Sequence, residues 1–341
     1  MEQKRKDGVL KRILQLVVVC LAAILLVACG EKSQEDIVEA VHKTWANSNY
    51  ELNASMEVKT KDQSKVYNVE VWHTLPDFYR VEVHEADEQN TQIIIKNEEG
   101  VFLISPETQK MYKFQTDWPN KNSQSYLIGA IAEDLIADKA AAMKEVEGNY
   151  VFDASTRNAE RTGLPTQQIV IDKKTMLPEK VSLLNESQSE QIVITFDTIN
   201  LKAKHKPDEY GVEQYQTTTN ETSSTESNAE GFKVHYPTVQ LENTELVDEL
   251  VERTQGNERA VLSFKGDKSY TIVQQPVNRS EKMVTVSMQG EPEQIGSIYG
   301  ALSDKTLTWE QDGMSFLITS DVLTQQELIM VAGSLIAESE K

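Results

Sequence analysis

The chain has 341 residues, 39% of them hydrophobic and 26% charged, which suits about two folded domains and excludes a disordered chain. Its 34 Lys and Arg against 54 Asp and Glu give a net charge of -20, which excludes a nucleic-acid binder, since phosphate contacts need clustered cations. Two cysteines exclude a disulfide scaffold and a cysteine zinc site, and five scattered histidines argue against a histidine metal site.

The first twelve residues carry Lys4, Arg5, Lys6, Lys11 and Arg12, and an apolar run follows from Ile13 to Ala28, broken only by Gln15. A basic flank followed by such a run is the pattern of a secretory signal peptide. At its end Leu26-Val27-Ala28-Cys29-Gly30 is similar to a bacterial lipobox, whose cysteine receives a diacylglyceryl group before cleavage. The run has 16 residues, short of the roughly 20 that span a bilayer. The expectation is a signal peptide over 1–28, lipidation at Cys29, a tether over 29–34, and a protein anchored at the extracytoplasmic face of the cell membrane. Cleavage leaves 29 basic and 52 acidic residues, a net charge of -23, so acyl chains and not surface charge would hold the protein to anionic lipid.

Ser33 and Asp36 predict a helix start, and Ile37, Val41 and Trp45 share one face of a helix over 34–47. The period then changes to two, through Leu52–Val58, Tyr67–Val71, Tyr79–Val83, Ile93–Ile95, Val101–Ile104 and Met111–Phe114, with turns at Pro76-Asp77, Asn97–Gly100 and Ser105-Pro106. This is a meandering antiparallel sheet. Ile93-Ile94-Ile95 puts bulk on both faces, so that part of the sheet needs cover on both sides. A helix is predicted within 123–144, and strands resume at 150–154, 168–171, 180–184 and 191–196. Thr217–Ser227 holds eight Ser or Thr in eleven residues, so a linker is placed over 206–231. Beyond it, strands are predicted at 232–236, 261–264, 270–273 and 283–288. A hairpin at 307–318 turns on Asp312-Gly313, and a final helix is capped by Thr324 and Glu327 with Leu328, Val331, Leu335 and Ile336 on its stripe.

No HExxH, GxSxG or Walker-type loop occurs, and after cleavage no free thiol remains, so no catalytic residue, metal or cofactor is assigned. His73 and His84 read as ordinary strand residues. The remaining candidates are apolar: Trp72, Tyr79, Phe102 and Tyr112, as the lining of a cavity between a curved sheet and the helices, fit to bury acyl chains.

The order of a helix, the segment Val71-Trp-His-Thr-Leu-Pro-Asp-Phe-Tyr-Arg80, the segment 93–103, Ser105-Pro106, Met111-Tyr112 and Leu177-Pro178 resembles the LolA and LolB family of lipoprotein carriers over about 35–205. The resemblance implies an α+β fold: an incomplete antiparallel β-barrel with a helical lid over a hydrophobic cavity, here followed by a smaller α+β domain over 232–341. The carriers often place an arginine just before the turn proline; this chain has Leu75 there and Arg80 beyond the turn. The whole layout is similar to the YdcC-type and GerS-type sporulation lipoproteins of Gram-positive bacteria. The tail, 307–335, resembles a domain of unknown function found in envelope proteins and near anti-sigma factors. Two functions follow as expectations: a non-enzymatic lipoprotein that takes acyl chains or a lipidated partner in its cavity, or a scaffold that contacts an envelope protein, such as an anti-sigma factor or a germination or cortex enzyme, through its second domain, a layout that resembles RseB-type regulators.

Overall fold

The computed structural model describes residues 32–59, 64–85, 91–119, 124–157, 159–216, 232–254, 257–277, 282–295 and 298–336. The expected signal peptide and lipobox, with Cys29, and residues 217–231, which include the Ser/Thr run, lie outside the described residues. Two compact units are distinguished, Met1–Ala40 and Val41–Lys341. Helix α1, Gln34–Trp45, spans the division. In its first turn the Ser33 hydroxyl accepts from the Asp36 amide and donates to the Asp36 carboxylate (3.2 and 2.8 Å), the expected cap.

The second unit holds two sheets. Strands β1 (Tyr50–Lys59), β2 (Ser64–Thr74), β3 (Phe78–Glu85), β4 (Thr91–Asn97), β5 (Gly100–Ser105) and β6 (Lys110–Phe114) form the predicted meander. Helix α2 (Ile128–Ala137) follows, then β7 (Ala142–Val146), β8 (Asn149–Ser155), the single turn α3 (Ala159–Thr162), β9 (Thr166–Asp172), β10 (Pro178–Leu184) and β11 (Glu190–Asn200). A 3-10 turn (Pro207–Tyr210) and a helical turn, α4 (Glu213–Gln216), end this half. The second half contributes β12 (Thr244–Thr254), β13 (Asn257–Gly266), β14 (Tyr270–Pro276), β15 (Val284–Met288), β16 (Glu291–Ile295), β17 (Ile298–Leu302), β18 (Thr306–Gln311), β19 (Met314–Thr319) and α5 (Gln325–Ile336).

The larger sheet has the order β15-β6-β5-β4-β3-β2-β1-β11-β10-β9-β8-β7, and the smaller β12-β13-β14-β19-β18-β17-β16. Neither closes on itself. The fold is α+β and mostly strand. Three predicted elements differ. The helix over 123–144 stops at Ala137, because the Asp138 carboxylate takes the amides of Ala140 and Ser155 (2.9 and 2.7 Å) and turns the chain into β7. Residues 232–236 are not a strand: the buried Gln274 side chain accepts from the His235 amide and donates to its carbonyl (2.8 and 2.6 Å), standing in for a neighbouring strand. The start of the proposed linker, 206–216, is built into the fold, with Tyr210 and Val212 buried.

Register sorts the side chains of the larger sheet into two faces. One carries Tyr50, His73, Tyr79, Lys96 and Val101 in a row, with Met56, Ile194, Val181, Ile169 and Phe152 beyond it. Helix α2 packs here: its Asp134 accepts from Gln167, which shares the face of Ile169 (2.7 Å). The opposite face carries Trp72, Arg80, Ile95, Phe102 and Lys113. Its cover is residues 205–216: Tyr210, Val212 and Tyr215 close over Ile93, Ile95, Phe102 and Ile104, and the His205 ring stacks on Trp72 at 4.2 Å. This is the double cover that Ile93-Ile94-Ile95 requires.

Candidate functional site

The four candidate lining residues do not share a face. Trp72 and Phe102 lie on the face covered by residues 205–216; Phe102 is 2% exposed, and Trp72 sits between the His205 ring and the Arg80 guanidinium, 4.6 Å from its ring centre. Tyr79 and Tyr112 lie on the helix-bearing face, at different places. The Tyr112 hydroxyl donates to Glu310 of β18 (3.3 Å), beside an ion pair from Lys110 to the same carboxylate, so Tyr112 belongs to a contact with the smaller sheet. Tyr79 borders a cleft.

The cleft, of about 520 Å³, lies between the end of α1, the turn joining β2 and β3, and the start of α2. Ala46, His73, Pro76, Tyr79, Pro119 and Gly129 wall it, and Asp77, Glu133 and Arg157 stand at its charged positions. The turn residues are where they are because β2 and β3 form a tight hairpin, with Thr74 opposite Phe78 and His73 opposite Tyr79. His73 and Tyr79 stack at 4.3 Å, with Tyr50 5.0 Å from the same imidazole. The buried His73 Nδ1–H donates to the Phe78 carbonyl (3.0 Å), and burial lowers the pKa of this ring, so it is neutral near pH 7. Burial pushes the Tyr79 phenol well up, so it stays protonated.

Each charge of the cleft is already engaged. Asp77 pairs with Lys96 (2.5 Å), Glu133 with His42 (2.7 Å), and Arg157 with the fully buried Asp134 and the Ala130 carbonyl (3.2 Å). Among the described residues that line it there is no serine, threonine or lysine, and His73 hydrogen-bonds to a backbone carbonyl. Among the described residues no nucleophile is set against a base, and the arrangement suits binding of a shape. His84 lies on the other face, beside Asn68 (3.2 Å).

Behind the cleft the helix-bearing face is filled. Trp118, Tyr126, Leu127, Ile128 and Ile131 are each 1% exposed or less. The smaller sheet closes the far side: the Tyr299 hydroxyl donates to that of Tyr126 (2.5 Å), Gln92 exchanges two hydrogen bonds with the Tyr299 backbone (3.1 and 2.6 Å), and Gln294 reaches Met56 Sδ (3.3 Å). Arg161 of α3 pairs with Glu291 (2.6 Å) and Glu293 (2.8 Å) of β16. Strand β15 crosses over to pair in parallel with β6.

The sequence reading missed His73, Asp77, Glu133 and Arg157. Pro76-Asp77 was visible as a turn, but nothing local joins it to Arg157, 80 positions on. Among the described residues no three His, Cys, Asp or Glu come together as a metal site, and no helix is long and apolar enough to cross a membrane.

A family model described as sporulation protein YdcC-like matches residues 10–210. The sporulation protein YdcC of Bacillus subtilis (strain 168) is 32% identical to this chain over the whole of both. Among solved structures, a chain of the Pseudomonas aeruginosa MucA/MucB complex aligns over 87% of this chain and 97% of its own, at 15% identity and a TM-score of 0.34. A LolA-superfamily protein from Nitrosomonas europaea aligns over 54% of this chain and all of its own, at 9% identity and a TM-score of 0.33. Likeness at that level says nothing of ligand or partner.

Proposed function

The chain belongs to the YdcC-like family of sporulation proteins, and from that premise we propose that it is a non-enzymatic protein of the cell envelope that works by holding another polypeptide. A diacylglyceryl group on Cys29 anchors it to the extracytoplasmic face of the membrane. The N-terminal half is a rigid LolA-like half-barrel, and the second half is both its plug and its contact domain. The observation that carries this reading is the filled interior: the face on which a carrier would lay acyl chains is occupied by Trp118, Tyr126, Ile128 and Ile131 and sealed by Tyr299. A space already packed with side chains has no apolar wall left to offer a lipid tail.

A second reading has one observation in its favour. The cleft at Tyr79 opens beneath the start of α2, so a lifted α2 would act as a lid and admit an acyl chain from there. Native mass spectrometry of residues 30–341, gently purified, separates the two. A bare protein mass is the result expected. A copurified lipid, lost in Tyr79→Asp, would overturn the filled-interior reading in favour of the carrier. Anchoring has its own test. Cys29→Ala should move the protein from the membrane fraction to the soluble extracytoplasmic fraction and abolish labelling by palmitate; an unchanged membrane fraction would remove the lipid anchor.

A further inference from the structure

Among the described residues, strand β12 is the outer strand of the smaller sheet, paired on one side only, with β13. Over its eleven residues, Thr244–Thr254, none is buried. Leu246, Val247 and Leu250 are 39, 54 and 56% exposed, among the most exposed large apolar side chains described. The register places Leu246 opposite Phe264 and Glu249 opposite Leu262 on the core side, and Asp248 opposite Ser263 and Leu250 opposite Val261 on the other, so apolar groups are presented on both faces. An unpaired edge of this length offers a row of backbone donors and acceptors to an incoming strand.

The charge on the strand selects what can come. Glu245, Asp248, Glu249 and Glu252 stand against a single base, Arg253. The Tyr236 hydroxyl engages Glu249 (2.8 Å), while Glu245, Asp248 and Glu252 make no ion pair among the described residues. A second copy of this strand would set carboxylates against carboxylates, which is destabilising in a ladder. The bulge at Val247, between Leu246 and Asp248, further disfavours a straight copy-to-copy pairing. A strand carrying Lys or Arg alternating with apolar residues meets both features.

We propose that β12 is a docking edge for an extended, basic and apolar segment of a partner protein, which adds to the smaller sheet as an antiparallel strand. The proposal rests on the partner-holding reading above and names the surface and the chemistry of the occupant. The test uses residues 30–341 and a fluorescent ten-residue peptide of alternating lysine and valine, followed by anisotropy. Binding should weaken at least tenfold when glutamate replaces the peptide's lysines, when alternate peptide amides are N-methylated, and in the Asp248→Lys/Glu252→Lys double variant, whose substitutions are exposed and leave the core intact. It should also weaken between 50 and 300 mM salt. No binding, or binding indifferent to N-methylation and to the double variant, overturns the docking edge. A dimer of the wild-type chain in sedimentation, abolished by the double variant, overturns the choice of occupant in favour of a second copy. A photo-crosslinking residue placed at Val247 or at Asp153 of β8, in cells, keeps the two readings apart. Crosslinks to a partner from Asp153 alone overturn the edge and leave partner-holding intact; crosslinks from neither overturn both.

Discussion

Asp134 has no exposed side-chain surface, and its charge is tolerated because Arg157 and Gln167 both donate to it. Arg157 in turn reaches the Ala130 carbonyl, so it ties the loop after β8 to two turns of α2. Removing the cation would leave a carboxylate buried without its counter-charge. Arg157→Ala should therefore cost about 3 kcal/mol. Chemical denaturation checks this: a lower midpoint at unchanged slope is the outcome expected, and an unchanged midpoint would mean that Gln167 alone satisfies the carboxylate. The same scale explains Gly300 of β17. A Cβ there would lie 2.7 Å from the Thr308 carbonyl oxygen and 3.1 Å from Trp309 Cβ, so this glycine lets β17 approach β18.

At the scale of elements, what was legible followed from local chemistry. Asp312 and Gly313 both take positive φ (51° and 73°), the primed turn that Asp-Gly announces, and Thr324 and Glu327 cap α5 reciprocally. The alternation of β1 through β6 was readable because each strand has at least one buried face. Which face a residue joins was not: alternation ties Trp72 to Phe102 and Tyr79 to Tyr112 only through register, and register is set by hairpin turns many residues apart. Strand β12 went unseen because an edge with no buried face carries no period. Residues 206–216 were lost to composition, since Lys204–Glu209 is mostly polar and Tyr210, Val212 and Tyr215 follow no strand or long-helix period. The Tyr210 ring can be tested. Tyr210 is fully buried over Ile95 and Phe102, and its phenol, pushed up to about 12 chiefly by burial, bonds Thr74 (2.9 Å). Tyr210→Ala should destabilise by about 3–5 kcal/mol through the cavity left over that face, and Tyr210→Phe by about 1 kcal/mol for the hydrogen bond alone. Equal losses for the two would show that the ring contributes nothing as cover.

Across the whole of residues 41–341, the two sheets are joined by polar bonds of unusual burial, and one of them depends on pH. Glu293 is 2% exposed; burial raises its carboxyl from 4.5 to about 7, even with the Arg161 guanidinium 2.8 Å away pulling it down. A raised carboxyl holds its proton more tightly folded than unfolded. Its contribution to stability is therefore full below pH 4.5 and is lost as pH rises to 7 and beyond, by up to about 3 kcal/mol. Glu190 acts in the opposite sense: Lys180, Ser182 and Lys59 hold it near 2, so its contribution is present above 4.5 and is lost only as pH falls below that. The interval from pH 5 to 8 thus isolates Glu293 from Glu190. Across it the unfolding free energy of the wild type, taken relative to that of Glu293→Gln, which keeps the shape and cannot ionise, should fall with pH; the lowered His73 acts in the opposite sense but is common to both proteins and cancels. Arg161 retains Glu291 in that variant, so the latch between α3 and β16 stays neutralised. Parallel slopes for the two proteins would mean that Glu293 is ionised in the fold at every pH in the interval, with Arg161 outweighing its burial.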